Sequence, residues 1–382
     1  MLAMTEPGYP AARAIAPKIE ALFAHHLARL AATHPEQGVL SVPAARDIEA
    51  IVDAAFWASL RREEGYVPKI SLALVPASAV TDPMLFATAL SLAPTALVRI
   101  APAVERPGIH LGVWRHDGEL RVWGTTRAVP SYCFVLEVAA PGLLVVKHHR
   151  GDGGKYVNVA VLEGEQIKLI DERTSRSPDC PAMLTSLLGF TTTGSWNASV
   201  DVLIDLAVSM RAHGRGGITL VVPSGEAGWT ESIVQPIAYA VRPSYTGLAD
   251  LLQRAAAERG VRAWEEELED TVNAVAGLTA VDGAMVLNDR CELLAFGAKI
   301  SRRKGSPIVE EIALTEPIEG GEASVVTTSH LGGTRHLSAA QFVHDQRDAL
   351  ALVASQDGRF TIFAWSPCEG RVHAHRVESL LL

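Results

Sequence analysis

The sequence predicts an α/β (α+β) protein of two domains, an N-terminal α+β domain at residues 1–190 and a C-terminal α/β domain at residues 195–382. Three observations lead there. The chain has 382 residues, more than one compact core ordinarily takes. Its apolar pattern changes near residue 68 from helical spacing to a series of short alternating runs. Beyond residue 198 helical and strand-like segments alternate. Between the halves, residues 171–198 are rich in polar and small side chains, and the junction is placed there.

Residues 1–17 read as a loose lead-in. Ile19, Leu22, Phe23, Leu27 and Leu30 share one face and predict a helix over 18–33, and 47–56, running toward Leu60, predicts a second. Strands are expected at 70–75, 109–114, 119–124, 133–138, 144–147, 156–161 and 166–170, forming an antiparallel sheet. Asp117-Gly118 is the strongest hairpin signal, because Gly takes a positive φ at little cost. Trp114 and Trp123, at near-equal distances from that turn, predict a cross-strand aromatic pair. A short helix around Leu184, Leu187 and Leu188 is expected to link the domains.

In the second half, Leu203, Leu206, Ala207 and Met210 predict a helix that stops at Gly214, followed by a buried strand over 216–222. Helical stripes follow at Leu248, Leu251, Leu252 and Ala255, and at Trp264, Leu268, Val272 and Val275. Residues 284–287 and 292–296 flank Asn288-Asp289-Arg290 as a hairpin candidate. A helix over 338–347 and strands at 349–355 and 360–365 close the chain.

The chain is 48% hydrophobic and 20% charged, which supports packed cores and excludes general disorder. A net charge of −9, with the signs interspersed, argues against general nucleic-acid or anionic-membrane binding. Four scattered cysteines make no Cys-x-x-Cys, so neither a zinc ribbon nor a redox pair is indicated. The N-terminus lacks a secretory pattern and no 18 apolar residues run together, so a soluble, cytoplasmic protein with no membrane partner is expected.

Two motifs carry chemistry. In Leu331-Gly332-Gly333-Thr334-Arg335-His336, glycines allow close backbone approach to a ligand and Thr334 stands where an N-cap belongs. The helix N-terminus favours anions, and Arg335 adds a fork suited to phosphate oxygens. His336 adds a donor that can be tuned near neutral pH. The competing reading is an ordinary capped helix whose arginine pairs with a carboxylate. In Asp282-Gly283-Ala284 the carboxylate leads into a buried strand and suits Mg²⁺ or Mn²⁺ together with substrate phosphates; the competing reading is a common Asp-Gly turn. The segment 151–155 lacks the Ser/Thr and the following helix of a Walker loop. His148-His149 and the strand-face pair His373 and His375 lack a third ligand and read as solvated histidines.

With both motifs in this order, residues 195–382 resemble the diadenylate cyclase domain, which condenses two ATP into cyclic di-AMP. The resemblance rests on the 200–211 helix, the 216–222 strand, Asp282-Gly283-Ala284, Gly333-Thr334-Arg335-His336 and the strands ending near Ser355. It implies a mixed β-sheet flanked by helices, and a homo-oligomer in which facing domains present one ATP to the other. It implies Mg²⁺ or Mn²⁺ at Asp282, and catalytic roles for Asp282, Arg335 and His336. Nucleotide contacts fall by position to Gly283, Ala284, Gly333, Thr334, Ser338 and Ser355. The chain departs from the family at Val281, where histidine is usual, at Leu337, where a second arginine is usual, and at Gln356-Asp357, where two glutamates are usual. Losing one guanidinium removes a charged hydrogen bond worth about 1.5–3 kcal/mol. The alternative is therefore a module that binds a nucleotide or cyclic dinucleotide and does no chemistry. Residues 108–114, 120–126 and 142–147 resemble the probable sensor domains found ahead of such cyclase domains in bacteria.

Overall fold

The computed structural model describes residues 8–33, 41–149, 156–171, 180–188, 198–254 and 262–382. The chain divides into two compact units, residues 1–170 with Leu382, and residues 171–381. Most of the expected junction, the 151–155 segment and Ala255 lie outside the described residues.

The first unit opens on α1 (Pro10–Thr33), eight residues earlier than expected. Ala12, Ile15, Ala16, Ile19 and Phe23 are fully buried at i, i+3, i+4 spacing. That burial outweighs the hydrogen bond lost at Pro17, inside the helix. Helix α2 (Ala45–Ser59) packs on α1 through Ile48, Ile51, Val52 and Ala55. There follow β1 (Ser71–Leu74), β2 (Met84–Ser91), α3 (Pro94–Ile100), β3 (His110–His116), β4 (Glu119–Thr126), β5 (Phe134–Ala140), β6 (Leu143–His149), β7 (Tyr156–Glu163) and β8 (Gln166–Leu169).

These strands order as β2-β4-β3-β1-β5-β6-β7-β8. The sheet is mixed rather than antiparallel, because β1 and β3 run parallel with Leu72 opposite Leu111. The reason is the excursion between them. β2 leads the chain to the sheet edge and α3 brings it back, so β3 re-enters in the direction of β1. β2 escaped sequence reading because it is mostly exposed, Met84 and Leu85 included, and shows no clean alternation.

The β3–β4 hairpin turns on Asp117 (φ 51°) and Gly118 (φ 83°), as a two-residue turn with both φ positive requires. Its register sets Trp114 opposite Arg121, and a bulge at Gly112/Val113 shifts Trp123 out of line. The expected tryptophan pair therefore does not form. The Trp123 ring lies over Gly112, where a Cβ would sit 1.9 Å from it. It packs with Ala73, Val75 and Cys133, while Trp114 packs with the large core around Leu72 and Phe23.

His110 is buried in this sheet between Ser71 Oγ, 2.7 Å from Nδ1, and Tyr156 OH, 2.7 Å from Nε2. Burial, opposed in part by Glu137, pushes its pKa down to about 4. An imidazole depressed in the folded state leaves stability intact above its ordinary 6.5 and withdraws it as pH falls toward 4. The loss expected from His110 is on the order of 3 kcal/mol. Thermal melts between pH 7 and pH 4 should show it, with a shallower slope in His110→Gln.

The second unit comprises α4 (Ala182–Leu187), α5 (Ala198–Ala212), β9 (Gly217–Val222), β10 (Tyr239–Tyr245), α6 (Gly247–Gln253), α7 (Arg262–Gly277), β11 (Ala284–Asn288), β12 (Leu293–Ala298), β13 (Glu311–Thr315), β14 (Ser324–Thr327), α8 (Thr334–Asp345), β15 (Leu350–Ala354), β16 (Phe360–Ser366) and β17 (Arg371–Arg376). The strand order is β10-β12-β11-β9-β15-β16-β17-β13-β14. β9 pairs parallel with β11, and β13 with β17; the other neighbours are antiparallel. Helix α8 buries Phe342 and Val343 against Leu220, Val286, Ala351 and Phe363 on one face. Helix α5 lies on the other, where Thr219 Oγ1 donates to Met210 Sδ at 3.2 Å.

Both helix stop and hairpin follow local chemistry. Gly214 ends α5 at φ 65°. Asn288 Oδ1 accepts from the N–H groups of Arg290 and Glu292 and folds the β11–β12 turn. Sequence patterning missed β10, β13 and β14, and marked β17 only through the strand face shared by His373 and His375. β10 and β14 are exposed edge strands, and the two histidines of β17 disguise a buried strand. Among the described residues no helix is long and apolar enough to cross a membrane.

Candidate functional site

Strand register brings the two motifs to one end of the second sheet. Gly217 pairs with Ala354, Ala354 with Phe360, and Thr361 with Arg376, while Ala284 pairs with Ile218. Hence Asp282-Gly283 before β11, Gly216 before β9, Ser355 after β15, Arg359 before β16 and Arg376 at the end of β17 share that end. Helix α8 starts there too. A Cβ on Gly216 would lie 3.0 Å from Arg335 Nη1 and 3.1 Å from the Ala354 carbonyl oxygen, so the guanidinium rests over the β9–β15 join.

Asp282 is exposed, with 94% of its side chain open to solvent, and forms an ion pair with Lys299 Nζ. That hydrogen bond and charge hold its carboxyl below the usual range, with a smaller contribution from Arg335. Asp282, Lys299 and Arg335 thus share one electrostatic neighbourhood. Lys299 follows β12, and the hairpin pairing of Ala284 with Ala298 delivers it to Asp282; counting outward from the Asn288 turn would have found it. Gly283 has φ 126°, and a Cβ there would meet the Gly297 carbonyl carbon at 2.4 Å, so glycine is required. Ala284 is the first, buried residue of β11.

The second motif is arranged differently from its sequence reading. The N-cap is Gly333, not Thr334, which is the first helical residue; no side chain caps α8. The expected cap fails because α8 begins at Thr334 itself, four residues before the expected start at 338, with His336 N–H donating to Gly333 O at 3.0 Å. Gly332 has φ 134°, whereas Gly333 has φ −76° and open space where a Cβ would stand. Thr334, Arg335 and Leu337 are exposed and Ser338 is half-buried.

His336 is buried, its ring edge-on to Phe363 at 6.1 Å and close beneath Gly332. Burial lowers its pKa and keeps the ring neutral; Asp357 opposes, and Arg376, Arg359 and Arg335 add to the lowering. Ser355 is half-buried in a tight turn, its N–H donating to Arg359 O at 2.9 Å. Arg359 pairs with Asp357 at 3.4 Å. Among the described residues neither Arg335 nor Arg376 is in an ion pair. Arg359 and Arg376 were not found from sequence, because their approach depends on strand order, whereas the approach of Lys299 depends only on hairpin register.

Arg303 and Lys304, basic residues between the two motifs in sequence, lie elsewhere. They line an open cleft of about 610 Å³ with Val222, His344, Arg347 and Ala349, at the opposite end of α8 and β9. Asp345 anchors that segment, accepting from Arg303 N–H at 2.8 Å. Neither motif lines it.

The histidine pairs are not solvated as expected. His373 and His375 are buried on one face of β17, and His375 Nδ1 lies 2.7 Å from Thr315 Oγ1. Burial pushes His375 down to about 4. His148 is likewise buried. Among the described residues no three His, Cys, Asp or Glu side chains are grouped to hold a metal. Asp282 alone fits the other way a hard divalent ion binds, through one carboxylate and the phosphates of a substrate.

The arrangement offers a carboxylate ionised at neutral pH near an uncapped helix N-terminus, an unpaired guanidinium and further arginines. It suits a polyanion carrying a metal ion. Residues 37–127 of the first unit match the family described as probable sensor domain DACNV. No curated protein matches the chain.

Proposed function

We propose that the second unit binds ATP at the sheet end where Asp282 and Arg335 converge, and condenses two ATP into cyclic di-AMP under control of the sensor domain. The single observation behind this reading is that convergence of two motifs some fifty residues apart. The DACNV match supports it, since domains of that family are associated with diadenylate cyclases.

Arg335 and the N–H groups of the first turn of α8 would hold the triphosphate, with Thr334 and Ser338 beside them on the helix and Ser355 at the neighbouring strand end. Gly333 leaves room for a phosphate against the helix start. His336, buried and neutral, would fix the Gly332-Gly333 turn. Asp282 would hold Mg²⁺ or Mn²⁺ in exchange for Lys299, and the ion would neutralise phosphate charge in the transition state. The 3′-hydroxyl of one ATP would attack the α-phosphorus of the other in line, lose its proton toward Asp282, and expel pyrophosphate. A second attack in the opposite sense closes the ring, so two chains would face each other as a homo-oligomer.

A second reading has its own observation. Lys299 already neutralises Asp282, and exposed Leu337 stands where an additional arginine would serve, so the unit could hold a nucleotide without converting it. Incubation with ATP and Mn²⁺ or Mg²⁺, with cyclic di-AMP as the readout, separates the two. Product supports the enzyme; micromolar ATP binding without product leaves the binding module; no binding sinks both. In either case Arg335→Ala is expected to weaken ATP binding by about 10-fold or more, the loss of one or two charged hydrogen bonds, as calorimetry would measure.

A further inference from the structure

On the edge strand β10, Tyr239 stands directly opposite Phe296 of β12. Their rings are parallel, 4.8 Å between centroids with 2° between planes. Phe296 covers one face of the tyrosine, yet Tyr239 remains 51% exposed, so its other face is open. Gly297, at φ 60°, permits this placement: a Cβ there would lie 2.7 Å from Tyr239 Cδ2 and 3.3 Å from Val281 Cγ1. The tyrosine ring is therefore set beside the residue that precedes Asp282. Packing accounts for the covered face only.

We infer that the open face of Tyr239 is a stacking platform for the base of the nucleotide held at Asp282 and Arg335; this rests on the nucleotide reading of that site. A ring backed by a second parallel ring is rigid, and a purine offers it a larger π face than a pyrimidine. The triphosphate would be recognised by the helix terminus and Arg335, and the base by Tyr239, so the two parts of the ligand are separable.

Calorimetry on the full chain with ATP, CTP and inorganic triphosphate, each in Mg²⁺, tests the assignment in wild type, Tyr239→Ala, Tyr239→Leu and Tyr239→Phe. Wild type is expected to bind ATP more tightly than CTP. The Ala and Leu variants should lose about 10-fold or more in ATP affinity, as loss of one base–aromatic stack does, with triphosphate affinity unchanged and Tyr239→Phe close to wild type. The leucine variant keeps apolar cover on Phe296, which guards against an effect of folding. ATP affinity unaltered in both the Ala and Leu variants overturns the platform, as does an equal loss for ATP and triphosphate. Wild type that binds neither ligand overturns the nucleotide reading itself, and the platform with it.

Discussion

Replacing Asp282 with Asn is expected to cut cyclic di-AMP formation by about 10²–10⁴-fold, the range over which a positioned acid or base contributes, while ATP remains bound. The carboxyl is held below its usual range by Lys299 and Arg335, so it is ionised throughout the neutral region and its own titration does not shape the pH profile there. The asparagine keeps the shape and loses the charge, and with it the carboxylate a divalent ion needs. In EDTA the sign reverses. With one negative charge gone from beside Lys299 and Arg335, the triphosphate should bind as well as in wild type or a few-fold tighter. Because the side chain is almost wholly exposed, the melting temperature should move by no more than about 2 °C. A collapse of both ATP binding and melting temperature would show that Asp282 acts on the fold instead.

Gly283→Ala should produce the largest loss of stability of any change in the motifs. The residue sits at φ 126°, where L side chains are strained, and its Cβ would meet backbone atoms of Gly297 at 2.4 Å. Backbone cannot rotate away as a side chain does. Strain and overpacking together should cost about 2–4 kcal/mol, lowering the melting temperature of the second unit by roughly 5–15 °C. Gly333→Ala is the control: at φ −76° with open space around it, alanine should cost only a few tenths of a kcal/mol while narrowing the place proposed for a phosphate. Melting curves in parallel with ATP titrations separate the two. Equal stability of Gly283→Ala and wild type would remove the steric account of the motif.

Much of the fold was legible because it is written locally. The α2 and α5 stripes, the Asp117-Gly118 turn, the Asn288 turn and the Gly214 stop each depend on a few adjacent residues whose spacing or φ preference is intrinsic. What failed, failed for non-local reasons. Helix α1 runs through Pro17 because the burial of Ile15, Ile19 and Phe23 exceeds a proline's cost. The first sheet is mixed because an inconspicuous edge strand, β2, turns the chain around. Trp114 and Trp123 part because the two-residue turn sets Trp114 opposite Arg121, and the bulge beyond it displaces Trp123 further.

The candidate site divides along the same line. By itself the sequence determined the identity of the motif residues, whereas the requirement for glycine at Gly283 came from its φ of 126° and the close approach of the Gly297 backbone. Tertiary structure alone decided which of the distant groups meet. It set Arg335 over Gly216, Arg359 and Arg376 beside the α8 terminus, and Tyr239 next to Val281, whereas Lys299 reaches Asp282 through the register of the β11–β12 hairpin. It also buried His336 and sent Arg303 and Lys304 to the far end of the sheet. These residues lie up to about 160 positions apart in sequence. Their proximity comes from strand order and parallel or antiparallel register, which are decided by how whole strands share one apolar core, not by the preference of any residue for its neighbours.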